Sequence, residues 1–397
     1  MNMKISGAKI SGTVDAIPSK SFAHRISICN FFAKKNPTSN CKNFTSKDIS
    51  ATENCLKDIL DEKRELDCGE SGSTLRFLLP LLASIGGEFT LIGHGKLMER
   101  PNDELFSVLS EHGVKITKDD KIRLSGKLFG GEFRIRGDIS SQYISGLLMV
   151  LPTLEEDSKI ILTTPLKSAP YVDITLSVLK DFGVSVQKTE YGYFVKGGQI
   201  YSGEVYPDGD WSNSAFFLVL GAIAGEITVK NLNLKSVQGD KVITDILTRA
   251  GATVTFNKDS VTVKEANLKG FTADAENCPD LVPILSVLGA FADGKTVITN
   301  VERLKIKESD RIQTTIDMLS CLGVKAESDG HTLTVYGGGA KSGVADSHND
   351  HRIAMSVAVM ASAVEGQTLL TDASAVEKSY PTFFEDFISV GGRVING

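Results

Sequence analysis

A helix-like stretch ending in glycine, followed by a segment of alternating apolar residues, recurs along this chain at a nearly constant step. Its copies are Leu109–Ile116, Leu179–Val186, Leu247–Val254, Leu319–Val324 and Phe387–Val394. Their glycines stand at 113, 183, 251, 323 and 391, so the steps are 70, 68, 72 and 68 residues. A second marker keeps the same step: Gly87–Leu91, Ser158–Leu162, Gly225–Val229, Gly294–Ile298 and Gly366–Leu370 each read as a strand. A glycine just past a helix suits the position where φ turns positive, which other residues adopt only with strain. The apolar stripe Ile312, Ile316, Leu319 and Leu322 has helical spacing, and Thr332-Leu333-Thr334-Val335 alternates as a hairpin strand does.

Each unit therefore reads as strand, helix, strand, helix, strand, strand. Five copies are complete, and a sixth at the start is shortened, with a helix near Cys55–Leu60. That first copy lacks the glycine-ended helix and the hairpin, because Asp61 to Leu66 runs almost directly into Cys68-Gly69. Units this small cannot bury their helices alone and must pack on one another. The turn cluster Tyr206-Pro207-Asp208-Gly209-Asp210 leaves three units on each side. The expectation is an α/β (α+β) chain of two similar domains, with a crevice between them for small ligands.

Composition narrows the functional classes. Residues are 41% apolar and 23% charged over 397 positions, ordinary for a globular chain of two or three domains. No apolar run reaches the roughly 18–20 residues needed to cross a bilayer. The start, Met-Asn-Met-Lys-Ile-Ser-Gly, shows neither a secretory nor an organelle signal, which makes the expected setting cytoplasmic. With 43 Lys+Arg against 49 Asp+Glu the net charge is −6, which argues against gripping nucleic acid or an anionic membrane. The same charge disfavours a ring-shaped nucleic-acid clamp built from such repeats. Six scattered cysteines without Cys-x-x-Cys spacing read as reduced residues, neither disulfides nor zinc ligands.

Several polar clusters sit at or just before helix starts. Pro18 to Arg25 opens a run containing Ile26, Ile28 and Phe31; Gly69 to Arg76 precedes Phe77-Leu78-Leu79; Ser140-Ser141-Gln142 precedes Ile144, Leu147 and Leu148. Helix starts offer unpaired N–H groups and partial positive charge, so they bind phosphate or carboxylate. Each cluster taken singly is more simply a set of N-caps. Two others are denser. Lys305-Ile306-Lys307-Glu308-Ser309-Asp310-Arg311 packs three cations and two acids; read as one helical turn, it puts Lys307 and Arg311 on a shared face with Glu308 about 100° away. A solvated surface helix explains that run equally well. In His348-Asn349-Asp350-His351-Arg352 a metal site would need a third ligand, and no His-Glu-x-x-His pattern is present. Phosphate-loop, Rossmann and Gly-x-Ser-x-Gly signatures are missing too. What remains is a site without metal or cofactor, suited to acid–base chemistry on strongly anionic substrates.

These clusters carry a resemblance. Ser19-Lys20-Ser21 with Arg25, Glu99-Arg100-Pro101, Ser140-Ser141-Gln142, Lys307-Glu308-Ser309-Asp310-Arg311, Asn349-Asp350-His351-Arg352 and Lys378-Ser379-Tyr380-Pro381 together resemble the 5-enolpyruvylshikimate-3-phosphate synthase family. The resemblance spans essentially the whole chain. It implies two domains, each of three βαβαββ units in an inverse α/β barrel-like arrangement: 1–18 with 208–397, and 19–207. It also implies transfer of the enolpyruvyl group of phosphoenolpyruvate to the 5-hydroxyl of shikimate 3-phosphate, without a cofactor, by a chain with no evident need of assembly beyond the monomer. The sister enzyme that acts on UDP-N-acetylglucosamine usually carries a reactive Cys in a mobile loop, and the matching stretch here, Lys96 to Gly126, has none.

Carried over residue by residue, the resemblance implies that Ser140, Ser141 and Ser168 take the shikimate phosphate, with Tyr171 nearby. Ser21 and Arg25 are expected at the shikimate carboxylate, and Asp280 and Lys307 at the reacting hydroxyl; Lys20 and Gln142 belong to this set as well. Lys20, Gly72, Arg100, Gln142, Arg311, Arg352 and Lys378 are expected to hold phosphoenolpyruvate. The catalytic roles fall to Asp280 as proton acceptor, Glu308 as proton donor, and Lys20. Arg303 stands where many members carry Asn, and Glu70-Ser71 where Asn-Ala is frequent.

Overall fold

The computed structural model describes residues 1–41 and 44–396. The chain opens with β1 (Met3–Ser6), β2 (Ile10–Asp15), α1 (Lys20–Phe32) and α2 (Lys47–Leu60). A complete repeat follows as β3 (Glu65–Asp67), α3 (Gly72–Ile85), β4 (Phe89–Ile92), α4 (Asp103–Ser110), β5 (Val114–Lys118) and β6 (Ile122–Gly126). The next is β7 (Gly131–Ile135), α5 (Ser141–Val150), β8 (Ser158–Leu162), α6 (Ala169–Asp181), β9 (Val186–Thr189) and β10 (Gly192–Val195). Then come α7 (Trp211–Ala224), β11 (Gly225–Lys230), α8 (Ile243–Arg249), β12 (Thr253–Phe256) and β13 (Val261–Lys264). The fifth repeat is β14 (Thr272–Asp274), α9 (Val282–Ala290), β15 (Lys295–Thr299), α10 (Arg311–Cys321), β16 (Ala326–Ser328) and β17 (Thr332–Tyr336). The last comprises β18 (Val344–Asp346), α11 (His351–Ser362), β19 (Gln367–Thr371), α12 (Phe383–Ser389) and β20 (Arg393–Asn396). Two compact units result: unit 1 is Met1–Ser19 with Asp208–Gly397, and unit 2 is Lys20–Pro207.

One plan serves all five sheets among the described residues. In β3-β4-β6-β5, β7-β8-β10-β9 and β14-β15-β17-β16 the first strand lies parallel to the second, as a helical crossover permits. The fourth strand pairs antiparallel with the second, and the third closes the edge as a hairpin. The other two sheets borrow from the amino terminus. β2 takes the first-strand place beside β11, parallel from Ile10↔Gly225 to Asp15↔Lys230. β1 takes the fourth-strand place between β19 and β20, antiparallel to both. The hairpin expected after the last glycine is thus replaced by a pairing with the other end of the chain. That loan explains why residues 1–19 belong to unit 1 while Lys20 starts unit 2.

In each repeat the helix after the first strand is the inner one. Every residue of α9 and of α11 is buried, and neither helix has a polar outer face, as full burial requires. In unit 1, α7, α9 and α11 pack on one another; in unit 2, α5 packs on α3 and α6, and α1 on α2 and α6. The repeat glycines all adopt positive φ: Gly113 +94°, Gly183 +76°, Gly251 +98°, Gly323 +78° and Gly391 +103°. The shortened copy also ends α2 with a left-handed residue, but there it is Glu62, at φ +61°. Among the described residues α1 and α2 have no sheet of their own. No helix among the described residues is long and apolar enough to cross a membrane.

Candidate active site

In unit 1 the helical turn expected from Lys307 to Arg311 does not form. Asp310 caps α10 by accepting from the Ile312 and Gln313 amides at 3.2 and 3.3 Å, so the helix begins at Arg311. Lys307 lies before it in extended backbone, at φ −83° and ψ −159°. The two cations nevertheless meet, because both reach Asp280 on the turn leading into α9. Lys307 Nζ donates to Asp280 Oδ1 at 3.2 Å and Arg311 Nη1 to the same oxygen at 2.7 Å.

Arg311 is the hub of this cluster. Its Nη2 donates to Glu308 Oε2 at 2.6 Å and its Nε to Asp350 Oδ2 at 2.7 Å, with the whole side chain only 1% exposed. Asp350 in turn caps α11, accepting from the Arg352 amide at 2.9 Å, and takes the Ser309 hydroxyl at 3.0 Å. Arg352 Nη2 lies 3.6 Å from Asp280 Oδ2, while its Nε and Nη1 are buried with no hydrogen-bond partner among the described residues. Lys378 Nζ donates to the Asn349 carbonyl at 2.8 Å, beside the same helix start. Burial by itself would raise the Asp280 carboxyl, but Lys307, Arg352 and Arg311 overturn that and hold it well below the usual carboxylate range. A second carboxyl goes the other way. Burial first, then Asp280 and Asp210, push Asp240 up to about 7, against the pull of the Ser212 hydroxyl and Arg352. Its Oδ1 is buried and has no hydrogen-bond partner among the described residues.

In unit 2 the expected residues gather at the starts of α1, α3, α5 and α6. Ser140 caps α5 by accepting from the Gln142 amide at 3.3 Å. The Gln142 side chain reaches α3, where Nε2 donates to Ser73 Oγ at 2.8 Å and Oε1 accepts from Arg76 Nη1 at 2.7 Å. Ser168, at φ +55°, precedes α6, and its loop is tied to the one before α5 by the Lys167 amide donating to the Gly137 carbonyl at 3.0 Å. Gly72 opens α3 under the Arg100 guanidinium. A Cβ there would fall 2.5 Å from Nη1, so only glycine lets that cation lie on this backbone. Arg100 Nε is buried without a partner among the described residues.

Two cations of unit 2 are committed more than the sequence suggests. Lys20 Nζ pairs with Asp48 Oδ2 at 2.7 Å. Arg25 is buried between α1, α5 and α6: Nε donates to Thr175 Oγ1, Nη1 to the Ser21 carbonyl, and Nη2 to Ser145 Oγ and the Tyr171 carbonyl, at 2.6 to 3.2 Å. Of its five N–H groups one, on Nη1, is left over among the described residues. Burial lowers its pKa to about 10.

Sequence reasoning missed the residues that orient the others. Asp350 and Arg76 lay inside quoted motifs but drew no role, and Asp48 and Asp240 drew no notice. The available signal was a charge next to an uninterrupted apolar run, as Arg76 stands before Phe77-Leu78-Leu79, because such a charge is buried and needs a partner. Among the described residues no group of three or more His, Cys, Asp or Glu is arranged to hold a metal ion. The six cysteines are free thiols.

Comparison with known proteins supplies the relationship. A family model described as EPSP synthase (3-phosphoshikimate 1-carboxyvinyltransferase) matches residues 59–387. The proteins named 3-phosphoshikimate 1-carboxyvinyltransferase from Clostridium novyi (strain NT) and Clostridioides difficile (strain 630) are 40% and 39% identical, over 99% of this chain and 98% of each relative. A solved EPSP synthase from Acinetobacter baumannii superposes with a TM-score of 0.79 at 22% identity, covering 100% of both chains. The enolpyruvyl transferase NikO from Streptomyces tendae does so at 0.74 and 18%, covering 99% of this chain and 98% of that one. Those structural matches speak for the fold; the family model and the relatives at 40% and 39% identity settle that this chain belongs to the EPSP synthase family.

Proposed function

We propose that this protein transfers the enolpyruvyl group of phosphoenolpyruvate to the 5-hydroxyl of shikimate 3-phosphate and releases phosphate. The observation that carries the reading is the unit 1 cluster, where a carboxylate, Asp280, is embraced by Lys307, Arg311 and Arg352, and Arg352 keeps two buried nitrogens with no partner among the described residues. A buried guanidinium with open donors favours a flat anion such as a carboxylate or phosphate.

In this reading Arg311, Arg352 and Lys378 of unit 1 and Lys20, Gly72, Arg100 and Gln142 of unit 2 bind phosphoenolpyruvate. Ser140, Ser141 and Ser168 take the phosphate of the acceptor, with Tyr171 beside it, and Lys20 and Gln142 also serve that substrate. Ser21 meets the acceptor's carboxylate together with the one guanidinium N–H that Arg25 has left.

The chemistry follows from competition for cations. While Lys307, Arg352 and Arg311 hold Asp280, it is a weak base. The anionic groups of phosphoenolpyruvate draw Arg311 and Arg352 toward themselves, and the proton affinity of Asp280 rises when substrate is bound. Glu308, released from Arg311, takes up a proton from solvent; Asp280 then accepts the proton of the 5-hydroxyl, whose oxygen bonds to C2 of the vinyl group as the π electrons take the Glu308 proton at the methylene carbon. The C2–O bond to phosphate then breaks, phosphate leaving with the electron pair and the proton held by Asp280, while the Glu308 carboxylate takes a proton from the methyl group and the vinyl group is restored. Lys20 and the other cations offset the charge that builds up. The same proposal carries forward the expectation of a cytoplasmic monomer without a cofactor.

The test is phosphate release by the purified protein. It should require both substrates together; release from phosphoenolpyruvate without shikimate 3-phosphate, or only with a nucleotide-sugar acceptor, overturns the reading.

A further inference from the structure

A buried chain of hydrogen bonds in unit 2 lies outside every role assigned above. His24, on α1, is 1% exposed, and its Nδ1 lies 2.7 Å from Thr52 Oγ1 on α2. Thr52 Oγ1 lies 2.6 Å from Thr74 Oγ1 on α3, which donates to Ser71 Oγ at 2.8 Å. Ser71 is the cap of α3 and accepts from the Thr74 amide at 3.2 Å, directly before Gly72. The same Thr74 hydroxyl lies 3.4 Å from the carbonyl of Asp48, whose carboxylate holds Lys20. One continuous set of contacts therefore runs from α1 through α2 to the residue that starts α3.

Stability alone does not account for this arrangement. The chain leaves His24 Nε2 buried with no partner among the described residues, a state that lowers stability. Apolar residues of matching shape would fill the same space without that penalty. Burial, then Lys20, then Arg25 also hold the imidazole well below its ordinary pKa, so it serves as a neutral link. What the chain provides is direction. Hydroxyls and an imidazole in series fix the rotation and spacing of three helices, where apolar contacts tolerate sliding. The need is local, since α1 and α2 have no sheet of their own among the described residues to set their register.

We propose that His24, Thr52, Thr74 and Ser71 form a positioning element that holds the start of α3, with Gly72 and the Arg100 guanidinium lying on it, at a set distance from Lys20. This rests on the reading that Lys20, Gly72 and Arg100 hold phosphoenolpyruvate. A shift of the α3 start displaces Gly72 and Arg100, which that reading gives to phosphoenolpyruvate alone; Lys20, shared with shikimate 3-phosphate, stays held by Asp48, and the phosphate-binding serines lie at the starts of α5 and α6.

The experiment is steady-state phosphate release with each substrate varied in turn, for wild type, Thr52→Val, Thr52→Ser and Thr74→Val. Thr52→Val removes the middle hydroxyl with little change of shape, and Thr74→Val breaks the chain one link further on. Each valine variant should raise KM for phosphoenolpyruvate by about 5–10-fold, as expected for one lost hydrogen bond. KM for shikimate 3-phosphate and kcat should stay within about twofold, and Thr52→Ser should return the wild-type KM. An unchanged KM for phosphoenolpyruvate in both valine variants, an equal rise for both substrates, or failure of the serine to rescue overturns the inference while wild-type turnover leaves the function intact. Should one valine variant not fold, the other decides alone. A wild type that releases no phosphate with both substrates present sinks the functional reading, and this inference with it.

Discussion

The two units bury arginine in opposite ways. In unit 1, Arg311 is surrounded by the carboxylates of Asp280, Glu308 and Asp350. In unit 2, Arg25 is equally buried but is held by two hydroxyls and two backbone carbonyls, none of them charged. The contrast shows in their proton affinities: burial is outweighed at Arg311, raised well above the ordinary value by Asp350, Glu308 and Asp280, and is not outweighed at Arg25. A cation matched by carboxylates is a device that substrate anions can rearrange, releasing acid–base groups as they bind. A cation matched by neutral dipoles keeps its full charge and acts as a scaffold. On the proposed reading the proton acceptor and donor, Asp280 and Glu308, both belong to unit 1.

The sharpest way to break this contrast is at Glu308. Glu308→Gln keeps the shape and an acceptor for Arg311 but cannot deliver the proton. It should lower kcat by roughly 10²–10⁴-fold while equilibrium binding of both substrates is spared; a variant turning over at the wild-type rate removes the residue from the chemistry. Next in size is the stability of the two arginine sites. Asp350→Ala strips the buried Arg311 of its principal partner and should destabilise unit 1 by about 3–5 kcal/mol. Thr175→Val removes one neutral acceptor from Arg25 and should cost about 1–3 kcal/mol. Urea unfolding of the pair is the measurement, and equal losses would erase the distinction between the units.

A pH experiment sharpens the same point within unit 1. Asp240 sits among carboxylates with its pKa pushed up to about 7, above the unfolded value near 4. Its bound proton therefore stabilises the fold fully below about pH 4, and that contribution is lost as pH rises through about 7. Asp240→Asn should remove the dependence, so the variant gains on the wild type by of order 2–4 kcal/mol between pH 5 and pH 8. A stability difference that is the same at both values would show that the carboxyl does not titrate there.

The smallest effects compare the shortened repeat with a full one. At Gly323 an added Cβ meets only the flexible Lys341 side chain, 3.4 Å away, so Gly323→Ala should cost about 1–2 kcal/mol through backbone strain alone. Glu62 already bears that strain in the first repeat, and Glu62→Gly should gain up to about 1 kcal/mol. Thermal unfolding of both variants reads the two signs.

The repeat and its glycines were legible because each is a local demand: a helix that must stop and turn at a left-handed residue leaves glycine at a fixed phase. Glu62 escaped notice for the same reason, since a strained non-glycine leaves no such mark. The polar clusters were legible as residue types, and each does open or precede a helix. Their geometry was not. Reading Lys307 and Arg311 on one helical face failed because Asp310 caps the helix between them, and what unites them is Asp280, 27 residues before Lys307. Arg25 looked like a free cation, yet Thr175 and Ser145, 150 and 120 residues away, absorb two of its five donors.

By itself the sequence determined the period, the order of elements within a repeat, the fold class and the inventory of charged and hydroxyl groups, because these follow from hydrophobic spacing and backbone preference over a few residues. Only the tertiary structure decided that β1 and β2 complete sheets hundreds of residues away, and that Arg311 answers to carboxylates while Arg25 answers to hydroxyls and carbonyls. Strand partners and charge partners are chosen by proximity in space, and no local pattern in either partner encodes the other.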